Sequence, residues 1–177
     1  MEMKKVKVMF RRYIVLLIGV STIFSSGCKV QYSFTGASIS PDVKTVSIDY
    51  FQNLASLVYP QLSSKFTEAL KERFITQTSL NAVKEYGDLQ FSGQITGYGV
   101  TPIAITGNET AAQSRLTISI KVKFENTKDK TFNFDKTFTQ FENFDSNLDF
   151  SSIEAEKVDL IIAKIIDEIF NNSVANW

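Results

Sequence analysis

The chain has 177 residues, 19 basic and 19 acidic side chains, no histidine and a single cysteine. Without histidine there is no Ser-His-Asp triad, no Cys-His pair and no imidazole metal site, and one cysteine allows no internal disulfide. The balanced charge also argues against a nucleic-acid binder, which needs a concentrated basic surface.

Residues 1–27 read as a lipoprotein signal peptide rather than as part of a fold. Lys4, Lys5, Lys7, Arg11 and Arg12 form a positive start, and Tyr13 to Phe24 is an uncharged apolar run. That run is well short of the roughly 20 residues a membrane-spanning helix needs. Ser25, Ser26 and Gly27 supply the small side chains a signal peptidase requires at its cut site. Cys28 then offers the thiol that would carry a diacylglycerol. Ser25 stands where a lipobox usually has leucine. Removing this segment takes away five basic residues and Glu2, which leaves 14 basic against 18 acidic and a net charge near −4. Residues 28–41 follow as the lipidated cysteine and a polar tether, and residues 42–177 as one domain large enough to bury a core.

Val43 to Phe51 alternates, with Val46, Ile48 and Tyr50 on one face, and predicts a strand. Asn53 to Pro60 reads as a connection. From Gln61 to Gln77, Leu62, Phe66, Leu70 and Phe74 recur every four residues, which predicts an amphipathic helix. Leu80 to Lys84 reads as a short strand turned by Tyr86-Gly87-Asp88. Leu89, Phe91, Gly93, Ile95 and Gly97 alternate as the next strand. Thr101 to Gln113 breaks the pattern and reads as a long exposed loop.

Arg115 to Glu125 gives the clearest alternation, with Leu116, Ile118, Ile120, Val122 and Phe124 facing one way. A polar turn over Asn126 to Lys130 leads to a return strand through Phe132, Phe134 and Phe138 to about Phe141. Ser152 to Asn172 predicts a final helix with a broad isoleucine stripe, capped by Ser151 or Ser152 with Glu154 or Glu156. Strands in sequence favour antiparallel hairpins. The expected fold is therefore α+β: a single mixed or antiparallel sheet of four to five strands, with two helices packed on one face.

Few residues offer chemistry. Gly97-Tyr98-Gly99 lacks the third glycine, the Lys-Ser/Thr and the following helix of a phosphate loop. Glu154, Glu156 and Asp159 are accounted for by the helix dipole, and Asp145 and Asp149 by a polar loop. Asn108-Glu109-Thr110 matches a glycosylation sequon with no reason to expect its use. No catalytic residue, metal ligand or cofactor is expected beyond a covalent lipid on Cys28. The candidate binding residues are cations on the polar face of the hairpin, Arg115, Lys121 and Lys123, with Lys128 and Lys130 at its turn. Such a set can hold the phosphates of an anionic lipid, or can simply keep an edge strand from aggregating. Phe141, Phe144 and Phe150 fall outside one clean alternation and are candidates for exposed aromatics at an interface.

Several segments resemble the LptE family: Tyr32-Ser33-Phe34-Thr35-Gly36-Ala37-Ser38-Ile39 after the cysteine, Val43 to Ile48, Phe66 to Phe74, Gly93 to Tyr98, and Arg115 to Phe124. The resemblance covers nearly all of residues 28–177 in the same order of elements. It implies a non-enzymatic lipoprotein on the periplasmic side of the outer membrane, held by its lipid anchor. That protein would plug and help assemble an LptD-like β-barrel and could bind lipopolysaccharide itself. Lys29 directly after the cysteine is consistent with outer-membrane sorting. The Thr101 to Gln113 loop is the segment expected to insert into a barrel lumen. The alternatives are a lipoprotein adaptor of another secretion or barrel-assembly complex, or a stand-alone periplasmic lipid-binding protein.

Overall fold

The structure is a computed structural model that describes residues 39–57, 59–103 and 112–175, all within one compact unit spanning Phe34–Trp177. The signal segment, Cys28, most of the tether and the centre of the expected lumen loop lie outside the described residues.

Six strands form one mixed sheet: β1 (Thr45–Ile48), β2 (Gln52–Asn53), β3 (Asn81–Val83), β4 (Leu89–Ile103), β5 (Gln113–Asn126) and β6 (Phe134–Asp145). Among the described residues the α-helices are α1 (Leu62–Gln77) and α2 (Phe150–Phe170), the latter ending in a wider π turn over Asn171–Ala175. The sheet order is β3-β1-β4-β5-β6, and β2 also pairs with β4. β1 runs parallel to β3 and β4, whereas β4, β5 and β6 are antiparallel neighbours. The expected α+β class, single mixed sheet and two helices all hold, with one more strand than anticipated.

That added strand explains a misplaced side chain. Tyr50 was expected beside Val46 and Ile48, but it is exposed and Phe51 is fully buried. The chain keeps tracking β4 after β1 through bonds from Asp49 N–H to Phe91 O (2.9 Å) and Leu54 N–H to Ile95 O (2.9 Å). The alternation resets between the two short strands, and Phe51 takes the inward position. Its N–H donates to Thr67 Oγ1 on α1 at 3.2 Å, which gives a buried threonine its partner.

Leu62, Phe66, Leu70 and Phe74 of α1 are all fully buried, as their spacing requires. Phe74 meets Phe91 of β4 at 4.7 Å between ring centroids and Phe170 of α2 at 5.3 Å. One side chain thus joins both helices to the sheet. Val158, Ile161, Ile162, Ile165, Ile166 and Ile169 complete the core from α2. The helix cap differs from expectation: Asp149, not Ser151 or Ser152, is the N-cap. Its carboxylate accepts from Ser151 N–H (3.2 Å) and Ser151 Oγ (2.8 Å). Asp outcompetes serine here because it satisfies two donors and adds negative charge at the positive end of the helix.

The helices are joined by two rungs, Lys65–Asp159 and Arg73–Asp167, each at 2.6 Å. Both rungs advance eight residues along each helix in the same direction, so α1 and α2 run parallel. The bond from Asp159 raises the Lys65 pKa above its ordinary value.

Two boundaries move. β4 and β5 extend through Thr101–Ile103 and Gln113–Ser114, so both ends of the expected loop are strand. The centre of that loop, residues 104–111, lies outside the described residues. β6 begins at Phe134 rather than Phe132, which sits in a one-turn helix over Lys130–Phe132, and continues to Asp145. The hairpin turn is built by polar side chains. Asn126 Oδ1 accepts from the N–H of Lys128 and Asp129, and Asn133 Oδ1 accepts from Asn126 N–H.

Candidate functional site

Both helices lie over the apolar face of the sheet, and among the described residues no helix covers the opposite face of β4, β5 and β6. Strand register decides what that face presents. On β5 the odd-numbered residues 115–123 point there, opposite Asn143, Phe141, Thr139, Thr137 and Asp135 of β6. On β4 the contributors are Gln90, Ser92 and Gln94, then Gly97, Gly99 and Thr101, because a bulge between Ile95 and Gly97 shifts the alternation. The result is a polar surface with a small-residue centre, where Ser119 Oγ and Thr139 Oγ1 are 2.8 Å apart.

Arg115, Lys121 and Lys123 all project from this face, but they do not converge. Lys121 and Lys123 stand together at one end. Arg115 is six residues away along β5, about 20 Å. The two lysines flank a shallow cavity of about 350 Å³ lined also by Ser92, Gly93, Gln94 and Asp135. Lys121 Nζ contacts Asp135 at 3.3 Å and Lys123 Nζ contacts Glu125 at 3.0 Å, with both lysine side chains about half exposed. Exposed pairs of this kind contribute only about 0–1 kcal/mol, so a ligand phosphate can replace or share these carboxylate contacts at low cost.

Gly93 makes the concavity possible. Its φ of +158° suits glycine, and a Cβ there would lie 2.0 Å from Lys121 O and 2.7 Å from Phe51 Cε1. The absent side chain lets β4 approach the β5 backbone closely beneath the lysines.

At the other end, the Arg115 guanidinium lies 3.8 Å from the Phe141 ring centroid, and its Nε–H donates to Asn143 Oδ1 at 2.9 Å. Arg115 is therefore held against an exposed aromatic by cation–π attraction. Of the three aromatics expected at a surface, only Phe141 is exposed. Phe144 is buried and stacks on the half-buried Phe150 at 5.2 Å. The longer β6 explains the difference, since continuing the alternation to Asp145 turns Phe144 inward.

Other candidates have structural partners. Lys128 bonds Asp88 at 3.0 Å, away from the cation pair. Asp88 also accepts from Lys44 N–H (2.8 Å), Thr45 N–H (3.0 Å) and Thr45 Oγ1 (3.0 Å). The Lys44 N–H, followed by Lys128 and Thr45, pulls its pKa down to about 2. Glu154 accepts a short hydrogen bond from the Tyr98 hydroxyl, and Tyr98 stacks on Tyr59 at 6.2 Å. Burial first, then Glu154, pushes the Tyr98 pKa well above the ordinary phenol range. Tyr98 thus remains a neutral donor that ties β4 to the first turn of α2. Asp159 belongs to a helix rung, and Asp145 closes the turn at Asn147.

Asp135 and Glu125 are members of this site that the sequence analysis did not single out; Glu125 follows Lys123 on the same face of β5, and the hairpin register pairs Lys123 with Asp135. Among the described residues, no group of three or more His, Cys, Asp or Glu side chains could hold a metal, and no helix is long and apolar enough to cross a membrane.

The family described as LptE, lipopolysaccharide-assembly, matches over residues 43–173. No curated protein matches the chain significantly. Among solved structures, a neuraminyllactose-binding hemagglutinin homologue from Helicobacter pylori has a TM-score of 0.50 at 8% identity, covering 82% of this chain and 88% of that one. Lipoprotein B from Nitrosomonas europaea has a TM-score of 0.46 at 13% identity, covering 81% and 88%. A minor lipoprotein from Acinetobacter baumannii has a TM-score of 0.45 at 11% identity, covering 73% and 91%.

Proposed function

The chain belongs to the LptE family of lipopolysaccharide-assembly proteins, and from that premise we propose that it is an outer-membrane lipoprotein, anchored through Cys28 on the periplasmic side. It plugs and helps to assemble an LptD-type β-barrel that delivers lipopolysaccharide to the outer leaflet. The observation that carries this reading is the family match, which spans β1 through the end of α2 and therefore the whole sheet with both helices.

The open polar face supports it. A plug must present a hydrated surface to a water-filled lumen while keeping its own core closed. The Ser, Thr and Gly centre of β4–β6 meets that requirement, because it is polar and carries no bulky side chain. Lys121 and Lys123 above the Gly93 concavity give phosphate groups of an anionic glycolipid a place to bind. Arg115 on Phe141 offers a second cation on the same face. No step of the proposed activity breaks or makes a covalent bond.

Affinity purification of the lipidated protein from membranes tests the reading. A stoichiometric LptD-like barrel in the eluate supports it. A different barrel or secretin, with normal lipopolysaccharide export after depletion, refutes it.

A further inference from the structure

A second cavity opens on the same polar face beside the lysines. Its volume is about 420 Å³, and it shares Ser92 with the cavity under Lys121 and Lys123. Strand pairing explains the contiguity, because Lys123 of β5 faces Ser92 of β4, and Glu125 faces Gln90. Gln90 in turn faces Ser47 of β1. Asp49 follows at the end of that strand, its N–H donating to Phe91 O at 2.9 Å. Lys123, Ser92 and Asp49 thus form a row across three strands, with the backbones of Lys123 and Asp49 about 10 Å apart. Glu85 and Tyr86 complete the wall from the turn before β4. Tyr86 adopts a φ of +56° and is 88% exposed. Gly87 pins this turn against β1, since a Cβ there would lie 2.5 Å from Ser47 N.

The unspent polar atoms of this second cavity are mostly acceptors. Gln90 donates its Nε2 to Gly87 O at 3.0 Å, which leaves its Oε1 unused. Ser47 is only 4% exposed, and its Oγ accepts from Gly87 N–H at 3.2 Å. The second lone pair of that oxygen has no partner among the described residues. Among the same residues, Asp49 and Glu85 have no ion pair and no side-chain hydrogen bond, and Glu125 has only its exposed contact with Lys123. Three carboxylates, an amide oxygen and a buried hydroxyl oxygen suit a group that donates several hydrogen bonds and carries positive charge, which describes an ammonium. The exposed ring of Tyr86 at the rim attracts the same charge. The lysine cavity beside it has the opposite preference. We propose that the two cavities form one site for a phosphoethanolamine group, with the phosphate on Lys121 and Lys123 and the ammonium among Asp49, Glu85 and Glu125 beside Tyr86. The four-carbon lysine stems close most of the distance along the row, so a phosphate and an ammonium joined by two carbons can engage both ends. The exposed Lys123–Glu125 contact opens at little cost, freeing one partner for each end of the ligand. The proposal rests on the reading of Lys121 and Lys123 as a phosphate site and adds to it the cationic half of the ligand.

Calorimetric titration of the lipidated protein in phosphatidylcholine nanodiscs tests it with two soluble probes, O-phosphoethanolamine and phosphocholine. Both carry the phosphate, but the trimethylated nitrogen of phosphocholine has no N–H to donate. Phosphoethanolamine should bind about tenfold more tightly, the worth of one charge-assisted hydrogen bond. Asp49→Asn with Glu85→Gln should erase that preference without unfolding the domain, since both side chains are exposed. Lys121→Glu with Lys123→Glu should weaken both probes. Adding phosphatidylethanolamine to the disc lowers the apparent affinity of the free ester if a lipid headgroup is the natural source, and leaves it unchanged if the free ester is. Equal affinity for the two probes, or a preference that survives in the carboxylate variant, overturns the proposal; weakening by the lysine variant then leaves the phosphate reading standing. Undiminished binding of both probes in the lysine variant overturns the two together. Tighter binding of a lysine-rich peptide than of phosphoethanolamine also overturns the proposal, in favour of a basic protein partner.

Discussion

Asp88 shows how much a single carboxylate can organise, because it gathers two backbone N–H groups, a hydroxyl and Lys128 where β1 meets the start of β4. Its folded pKa lies near 2, below the unfolded value of about 3.9. A depressed carboxylate contributes stability that is fully present above the unfolded pKa and is lost as pH falls through the folded one. The Asp88 contribution should therefore decline between about pH 4 and pH 2. Acid melts comparing wild type with Asp88→Asn should converge across that window; curves that stay parallel would contradict the assignment. At neutral pH, Asp88→Asn should cost on the order of 1–2 kcal/mol, since exposed and part-buried donors lose a charged acceptor. Gly93→Ala belongs to the same scale. Its Cβ would collide with the Lys121 carbonyl, and overpacking of this kind costs about 1–3 kcal/mol or more. The lysines above it should behave in the opposite way. Lys121→Glu with Lys123→Glu leaves the melting temperature nearly unchanged, because both side chains are half exposed, yet weakens binding to vesicles of anionic glycolipid. Unaltered binding would leave these lysines only the role of keeping the sheet surface soluble.

Elements divide into those whose residues announce them and those set by partners elsewhere in the chain. The four-residue recurrence of Leu62, Phe66, Leu70 and Phe74, the isoleucines of α2 and the alternation of β5 were legible because each buries one continuous face. β2 was not, because two residues carry no periodicity; only its bonds to β4 reveal it. Tyr50 and Phe51 exchanged places for the same reason. The limits of β6 were hidden because its inward residues include Lys136, Gln140 and Glu142, which reach the second half of α2 and the turn after it and break the apolar alternation. Gln140 bonds Glu168, Lys136 bonds Asn172 and Glu142 bonds Lys164. The cations of the site and Glu125 could be read from β5 alone, whereas Asp135 required the register. At this scale Phe74→Ala is the informative substitution. Phe74 touches Phe91 and Phe170, so its loss should cost about 3–5 kcal/mol in denaturant unfolding. Asp167→Asn, which removes an exposed helix rung, should cost less than about 1 kcal/mol. A reversal of that order would mean that the helices are held by charge rather than by the apolar layer beneath.

At the scale of the molecule, one arrangement accounts for the sequence pattern. Two parallel helices close one side of a mixed sheet, and the long β4–β5–β6 meander offers its other side as a polar surface. Cys28 and the residues expected to form a tether precede this domain in the sequence. If lipid on Cys28 is the membrane link, Cys28→Ala should shift the protein from the membrane to the soluble or mislocalised fraction, and unchanged fractionation would contradict the anchor. Both flanks of the segment expected to insert into a barrel lumen are paired strand, and residues 104–111 between them lie outside the described residues. The central claim is that this domain works inside a lipopolysaccharide-exporting barrel. Its most direct test is affinity purification of the lipidated protein from membranes, with mass spectrometry of what accompanies it. The account predicts an LptD-like barrel in one-to-one ratio. A different barrel, a secretin or no stoichiometric partner would contradict it.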